Sequence, residues 1–495
     1  MGRRSVLLSN TAWNVMGQLL PLVVGVLTMP LLIDRVGLER FGFITLVWVL
    51  VGYASIFDFG IGRALIRTVA AHLASGDRQR AAASAHAGLI FLSLFGVALA
   101  ALLAPASVWL VTSVLKLPAE LVPEAAPAMV LLALSLPFVM VTTGFGGVMS
   151  AHQRFKALSL IRIVLGVASY LGPVAVAALL SRRLDAVVAV VLLLRVLGTG
   201  LHAWVCARQC GWRPQLAWPS REATRELFSL GGWIAVSNFL GPMLSYLDRL
   251  LLAALVPMRA VASYAMPYDV LSKTLIVPSS IMATLFPLAS ALSRGSEAAQ
   301  RMLSESLRML FLSMLPLIFI LVVFARPGLE SWLGLAIAEQ GAPVMRILAV
   351  GVLLNALAQG PATLIQAAGE PRWMAKLHLA ELPVFIAVLW LFTMHFGVIG
   401  TALASTLRSA LDAAVVYGLA HRRVAQGRLR WRQALLPGFV AALLLALGAW
   451  PTTWLQALAI AFVGLSLFAL YAWTCLLRPA ERHRLLEVRA MGFKA

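Results

Sequence analysis

The sequence predicts an all-α polytopic membrane protein with about fourteen transmembrane helices. Of its 495 residues, 61% are hydrophobic and only 12% are charged, and the mean hydropathy is +0.90. A soluble domain carries about 25% charged residues. The apolar residues form long runs, and most of the Lys and Arg residues lie in the loops on one side of those runs. These observations indicate a chain that crosses a bilayer many times.

Fourteen apolar segments are long enough to cross a bilayer core of about 30 Å, which needs about 20 helical residues. In chain order they lie at 9–33, 41–66, 85–112, 125–150, 157–180, 186–207, 229–256, 263–291, 307–325, 343–367, 376–397, 399–421, 434–453 and 455–477. The excess of Lys and Arg in alternate loops places both termini in the cytoplasm, because basic loops stay on that side. The net charge of +20 therefore reflects membrane orientation and predicts no nucleic-acid partner.

The chain also repeats itself weakly. Trp13 aligns with Trp233, RFKA at 154–157 aligns with RWMA at 372–375, and Arg195 aligns with Arg408, in the same order. Six spans is an even number, so both repeats would enter the bilayer from the same side, as in two-lobed transporters. The predicted organisation is an N-terminal six-helix lobe (1–207), a cytoplasmic connector (208–228), a C-terminal six-helix lobe (229–421), a basic loop (422–433), an extra helix pair (434–477) and a basic tail (478–495).

No pattern of residues predicts an enzyme, a cofactor or a metal site. The histidines are scattered without metal-ligand spacing, and the chain has no ATP-binding loop. Cys206, Cys210 and Cys475 all lie at predicted cytoplasmic span ends, where thiols stay reduced. The extramembrane loops are short, so we expect no catalytic domain outside the bilayer.

Charged residues inside the apolar spans are the candidates for function, because a charge at mid-bilayer costs at least ~2.5–3.5 kcal/mol on insertion scales. Asp248 and Arg249 are neighbours in LSYLDRLLLAAL (244–255), so on a helix they point about 100° apart and cannot form a face-to-face pair. Each is expected to need a partner on another helix or in a wet cavity. Two further pairs, Asp269 with Lys273 and Arg408 with Asp412, are four residues apart and could either neutralise each other or face a cavity.

Cations outnumber acids among the other charges in the spans. For those near a cytoplasmic span end, Arg63, Arg67 and Arg162, snorkelling to the interface is the alternative to a cavity role. The planar arginine fork suits phosphate groups and keeps its charge when buried. We therefore predict a net-cationic cavity between the lobes that takes an anionic passenger. The candidates for contact with that passenger are Arg63, Arg67, Arg162, Arg195, Arg249, Lys273 and Arg408. The candidates for ion coupling or charge balance are Asp58, Asp248, Asp269, Glu381 and Asp412.

Four stretches match the pattern of a known transporter family. R-x-G-x-x-x-F-G lies at 35–42 with D-x-G at 58–60, and a Tyr-x-Asp-Arg run at 246–249 precedes Tyr264. LIQAAGEPRWMAKLHLAELP and GVIGTALASTLRSALD follow at 364–383 and 397–412. Over most of residues 1–420, the chain resembles the polysaccharide transport family. This family comprises O-antigen-type flippases of the multidrug/oligosaccharidyl-lipid/polysaccharide exporter superfamily.

The resemblance implies two lobes around a V-shaped cavity that work by alternating access. It implies a substrate too: an undecaprenyl-pyrophosphate-linked oligosaccharide, moved from the cytoplasmic to the periplasmic leaflet of a bacterial inner membrane for O-antigen, capsule or exopolysaccharide synthesis. A polysaccharide polymerase and a chain-length regulator are the implied partners. Without an ATP-binding loop, proton or sodium exchange is the candidate energy source.

Two alternatives stay open at this point. A cation-coupled multidrug antiporter of the same superfamily would present an acid-rich cavity to cationic drugs, and the excess of intramembrane cations argues against it. A non-transporting scaffold subunit of a glycan assembly complex would tolerate replacement of the arginines.

Overall fold

A computed structural model of the chain describes residues 3–54, 61–213, 218–229, 232–290, 295–370, 372–426, 432–478 and 481–482. These ranges are almost entirely helical and contain no strand. The α-helices α1 to α18 are, in order, Arg3–Val36, Leu38–Ala54, Ile61–Ala74, Arg78–Leu103, Ser107–Trp109, Val122–Ala151, Phe155–Leu179, Leu184–Gln209, Arg221–Ser229, Gly232–Leu255, Met258–Lys273, Ile276–Ser290, Glu297–Val323, Ala325–Leu333, Leu335–Ala367, Arg372–Ala420, Arg432–Gly448 and Trp454–Tyr471. Short π-helical turns cover Leu110–Val114, His421–Ala425 and Ala472–Leu476.

The predicted fold class, an all-α protein with many membrane spans, is confirmed. The described parts of the predicted spans lie largely on helices. Within the described ranges, eight helices are both long and apolar enough to cross a bilayer. The total of fourteen spans stays a prediction.

The eleventh and twelfth predicted spans are the two halves of α16. Gly397 interrupts this element with φ 55° and ψ −133°, a conformation that glycine adopts far more readily than other residues. A hydrogen bond of 2.9 Å joins the Thr393 and Thr401 hydroxyls across the break. A Cβ atom on Gly400 would collide with the Phe392 carbonyl oxygen, so the halves depend on glycine for their close approach. We call these halves, 372–396 and 398–420, the α16 hairpin.

The eighth predicted span is also divided, into α11 and α12. Pro278 lies in the first turn of α12 and has no N–H to donate to the Thr274 carbonyl, so a continuous helix would lack a hydrogen bond there. The backbone instead makes tighter turns, with Thr274 N donating to Leu271 O at 3.0 Å and Leu275 N to Ser272 O at 3.1 Å. Hydropathy alone does not reveal such a break.

Contacts divide the chain into two compact units, Met1–Ala262 and Ser263–Ala495. In the first unit, α6 is central and packs against α2, α3, α4, α7 and α8. In the second unit, α15 is central and packs against α12, α13, α14 and α16, while α17 and α18 pack against α13. The division we expected at a connector of residues 208–228 stays a prediction; α10, which follows it, packs against α2 within the first unit.

A nearly buried carboxylate connects three helix starts in the first unit. Glu124 at the start of α6 accepts hydrogen bonds from Arg40 Nη2 at 2.6 Å and Arg40 Nε at 3.0 Å. The same carboxylate accepts the backbone N–H of Leu184, at the start of α8, at 3.0 Å. An ionised carboxylate with hydrogen-bond donors on both oxygens is stable even where it is nearly buried.

The C-terminal segment is attached to α13 by charged groups. Arg308 donates through both terminal nitrogens to the Glu481 carboxylate, each at 2.7 Å, and also to the Leu476 carbonyl at 2.8 Å. Arg478 pairs with Glu305 on the same helix. These contacts hold residues 476–478 and 481–482 against α13.

Candidate functional site

Asp248 and Arg249 are both buried in the first unit, with 2% and 3% of their surfaces exposed. Asp248 Oδ1 accepts the backbone N–H of Arg249 at 2.8 Å. The guanidinium carbon of Arg249 lies 5.5 Å from the centroid of the Tyr246 ring, within range of a cation–π interaction. The aromatic ring one turn earlier on α10 therefore supports the Arg249 guanidinium group.

Arg195 is half-buried in the middle of α8. Its Nε atom has no hydrogen-bond partner within the described part of the chain. The helix around it is fixed by Thr199, whose hydroxyl is 2.9 Å from the Arg195 carbonyl and 3.1 Å from the Phe138 carbonyl on α6. A guanidinium group held on a rigid helix with a free donor can bind an anion.

The remaining predicted cations and acids are placed differently. Arg67 on α3, Arg162 on α7 and Lys273 on α11 are exposed, and Asp269 on α11 is half-buried. Asp58 lies outside the described residues, and so does the side chain of Arg63. Exposure of Arg67 and Arg162 fits an interfacial position as well as a substrate contact.

In the second unit, the α16 hairpin brings three proton-accepting side chains together. His378 and Glu381 lie one turn apart on its first half, and Asp412 lies on its second half. One carboxylate oxygen of Glu381, one of Asp412 and one ring nitrogen of His378 all lie within 4.8 Å of one another. Within the described chain, both Glu381 oxygens, Asp412 Oδ1 and His378 Nδ1 have no hydrogen-bond partner. Asp412 is only 7% exposed, so these acceptors are largely withdrawn from solvent. We call His378, Glu381 and Asp412 the hairpin cluster.

Arg408 lies beside the hairpin cluster, one turn before Asp412. Its guanidinium carbon is 5.2 Å from the centroid of the buried Phe385 ring on the other half of the hairpin. It interacts electrostatically with both Glu381 and His378. In the described part of the chain, its Nε atom has no hydrogen-bond partner. Stacking on Phe385 leaves the edge of the guanidinium group available.

The structure therefore groups the predicted Glu381, Asp412 and Arg408 and adds His378, which sequence reasoning did not select. The signal for His378 was its position three residues before Glu381, which puts both side chains on one helix face. Arg346 on α15 was also not selected. It is half-buried and donates from Nη2 to the Pro451 carbonyl at 3.2 Å, which connects α15 to the turn before α18.

Comparison with known sequences finds one family model and several related proteins. The family model described as polysaccharide biosynthesis protein matches residues 7–293. A Shigella flexneri protein assigned as an O-antigen transporter is 27% identical over 414 residues, covering 83% of this chain and 97% of that protein. The uncharacterized membrane protein EpsK of Bacillus subtilis is 25% identical over 454 residues, covering 89% of this chain and 87% of its own.

Comparison with solved structures finds transporters of the MOP superfamily, the multidrug/oligosaccharidyl-lipid/polysaccharide exporters. An inward-facing multidrug-resistance MATE family transporter superposes with a TM-score of 0.71 at 15% identity, covering 83% of this chain and 97% of that one. A MOP superfamily transporter from Pyrococcus furiosus gives a TM-score of 0.61 at 15% identity, covering 83% and 95%. At such low identity the likeness concerns the fold alone.

Proposed function

Because this chain belongs to the polysaccharide biosynthesis protein family, we propose that it flips an undecaprenyl-pyrophosphate-linked oligosaccharide across a bacterial inner membrane. The direction is from the cytoplasmic to the periplasmic leaflet, by alternating access, with both termini in the cytoplasm. The glycan serves O-antigen, capsule or exopolysaccharide synthesis. A polymerase and a chain-length regulator would act on the delivered unit.

The observation that carries the choice of substrate is the set of arginines within apolar helices. Arg195 and Arg408 sit in the spanning helices α8 and α16, and each has an Nε donor without a hydrogen-bond partner in the described part of the chain. A buried arginine keeps its charge, so it requires an anion or a stacking surface. The pyrophosphate of a lipid-linked sugar supplies several oxyanions, each able to accept a charge-assisted hydrogen bond worth about 1.5–3 kcal/mol.

The relatives support a glycan as the other part of the substrate. The Shigella flexneri relative, assigned to O-antigen transport, is covered over nearly its whole length. A Haloferax volcanii protein assigned as a flippase in low-salt glycan biosynthesis is 23% identical over 199 residues, 39% of this chain and 41% of its own. These relatives are transporters and flippases rather than enzymes. The glycan headgroup would cross beside the arginines while the lipid tail stays in the bilayer.

Deletion of the gene in its host tests this proposal. The deletion should abolish the surface glycan and leave a lipid-linked oligosaccharide on the cytoplasmic side, which mass spectrometry of the extracted lipids identifies. Expression of the wild-type chain should restore the glycan, and Arg195→Ala at matched membrane abundance should not. Arg301→Ala is the control, since Arg301 is an exposed arginine paired with Glu297 at 2.7 Å. Unchanged surface glycan after deletion would contradict the proposal.

A cation-coupled multidrug antiporter is the second candidate, because a multidrug-resistance transporter has the same fold. The same deletion strain separates the two functions. Sensitivity to cationic drugs with an intact surface glycan would establish the antiporter and exclude the flippase.

A further inference from the structure

The hairpin cluster is a set of acceptors without matching donors. Its two carboxylates and one imidazole come from both halves of the α16 hairpin. One oxygen or nitrogen atom from each group lies within 4.8 Å of the other two. Glu381 and Asp412 are each roughly 12–14 Å along the helix from Arg372 and Ala420, at about 1.5 Å of rise per residue, so the two carboxylates are at similar depth. Asp412 is more than nine-tenths buried, and its Oδ1 has no partner in the described chain. An acceptor in this position costs free energy unless a positively charged group or a proton joins it.

The charges of the cluster determine how many added positive charges would neutralise it. Glu381 and Asp412 together carry two negative charges, and Arg408 supplies one positive charge nearby. The sum is one negative charge in an apolar environment, where a net charge is costly. One added positive charge makes the group neutral, whereas a divalent metal ion would leave it positive.

The chemistry of the three acceptor groups decides whether the added positive charge is a sodium ion or a proton. Hard cations such as sodium prefer oxygen ligands, whereas one of the three acceptors in this cluster is an imidazole nitrogen, which accepts a proton readily. All three groups can accept a proton. Two adjacent carboxylates share a proton readily, because both cannot be ionised side by side without cost.

We propose that Glu381 and Asp412 hold one exchangeable proton between them, with His378 as a third acceptor and Arg408 as the fixed counter-charge. The described groups that interact electrostatically with Glu381 and His378 are Asp412 and Arg408. The charged or titratable groups on the described elements next to the α16 hairpin are Glu339 and Arg346 on α15, Arg259, Tyr264, Tyr268, Asp269 and Lys273 on α11, and His421, Arg422 and Arg423 on the following turn. The hairpin itself also carries Arg372, Lys376, His395 and Tyr417. If the transport function proposed above holds, this proton is the coupling ion.

Infrared spectroscopy of the purified full-length protein in lipid tests the site without any substrate. A protonated carboxyl group has a C=O stretch separate from the bands of carboxylates. At about pH 7, where exposed carboxylates are ionised, the wild-type protein should show this band. Glu381→Gln and Asp412→Asn should each lose it, while Glu339→Gln, which changes an exposed carboxylate on α15, should keep it. A band of equal intensity in wild type and in both cluster variants, or no band in wild type, would overturn the proposal.

Replacement of Arg408, the proposed counter-charge, gives a second measurement on the same infrared band. Arg408→Gln removes the cation that favours ionised carboxylates, so the band should persist to higher pH than in wild type. A titration of the band that is unchanged in Arg408→Gln would exclude Arg408 as the counter-charge.

The coupling role has its own test in vesicles with an imposed pH gradient. Flipping of a pyrophosphate-linked oligosaccharide should respond to the gradient in wild type and not in Glu381→Gln. A gradient response retained in Glu381→Gln would refute the coupling role. A protein that shows the band but flips no oligosaccharide would refute the proposed function and leave the proton site intact.

Discussion

Arg408 stacks on Phe385, with 5.2 Å between the guanidinium carbon and the ring centroid. Asp412 is only one turn away on the same helix, yet among the described residues its Oδ1 and the Arg408 Nε atom both have no hydrogen-bond partner. The aromatic ring thus holds the cation across the hairpin, and the acid remains available to Glu381.

Arg408→Lys should reduce export although the positive charge is kept. Lysine is a point charge without the planar fork, so it loses both the stacking on Phe385 and bidentate contact with an oxyanion. A loss of about 1.5–3 kcal/mol corresponds to a fall of roughly 10- to 100-fold in transport. Surface glycan should be compared with Arg301→Lys at matched membrane abundance. Normal export by Arg408→Lys would show that only charge matters at this position.

Glu124→Gln should destabilise the first unit. The amide cannot accept both Arg40 bonds and the Leu184 N–H with the same charge assistance, and Arg40 is left without its carboxylate. We expect a loss of about 1–3 kcal/mol in the free energy of unfolding. Thermal unfolding in detergent measures it, with Glu120→Gln as the control because Glu120 is exposed and near in sequence. Equal melting temperatures for the two variants would argue against this network.

Attachment of the C-terminal segment should weaken in acid. The Arg308 guanidinium, helped by the Arg478 backbone N–H, lowers the pKa of Glu481 to about 2. An unfolded-state Glu titrates near about 4.3, so the contact contributes fully above that pH, and its contribution declines as the pH falls towards about 2. Hydrogen exchange of residues 476–478 and 481–482 should be slow in wild type at neutral pH and faster in Glu481→Gln. The difference between the two proteins should shrink below about pH 4; a constant difference at all pH values would exclude ionisation of Glu481 as its cause.

Gly400→Ala should disturb the α16 hairpin. Its Cβ atom would overlap the Phe392 carbonyl oxygen, which belongs to the backbone and cannot move aside cheaply. Overpacking of this kind costs about 1–3 kcal/mol. Gly418→Ala on the same helix is the matched control, since a Cβ atom there meets nothing within 4 Å. Thermal stability should fall for the first variant and stay the same or rise for the second.

Hydropathy predicted the membrane class well because the bilayer selects apolar composition directly. The break at Gly397 falls on the last residue of the predicted span 376–397, just before the span 399–421, where GVIG marks it in the sequence. Helix ends were predicted less well: α13 begins at Glu297, well before its apolar span at 307, because a helix extends into water beyond the bilayer. The division of one predicted span into α11 and α12 depends on a proline, and proline is also tolerated inside membrane helices.

The candidate site was predicted in part. Charges inside apolar spans are conspicuous, so Glu381, Arg408 and Asp412 could be selected from the sequence alone. His378 was missed because its spacing of three residues from Glu381 is a weak signal by itself. Its significance comes from Asp412, which only the folding of the α16 hairpin brings near. The position of the Phe385 ring beside Arg408 likewise could not be predicted from the sequence.

The most direct test of the central claim is a flipping assay with the purified protein in lipid vesicles. An undecaprenyl-pyrophosphate-linked oligosaccharide placed in both leaflets would be labelled through its sugar by an impermeant reagent. Wild-type protein should make nearly all of the lipid accessible, while Arg195→Ala and protein-free vesicles should leave about half protected. Protection of half the lipid in wild-type vesicles, with the protein shown to be folded, would contradict the account.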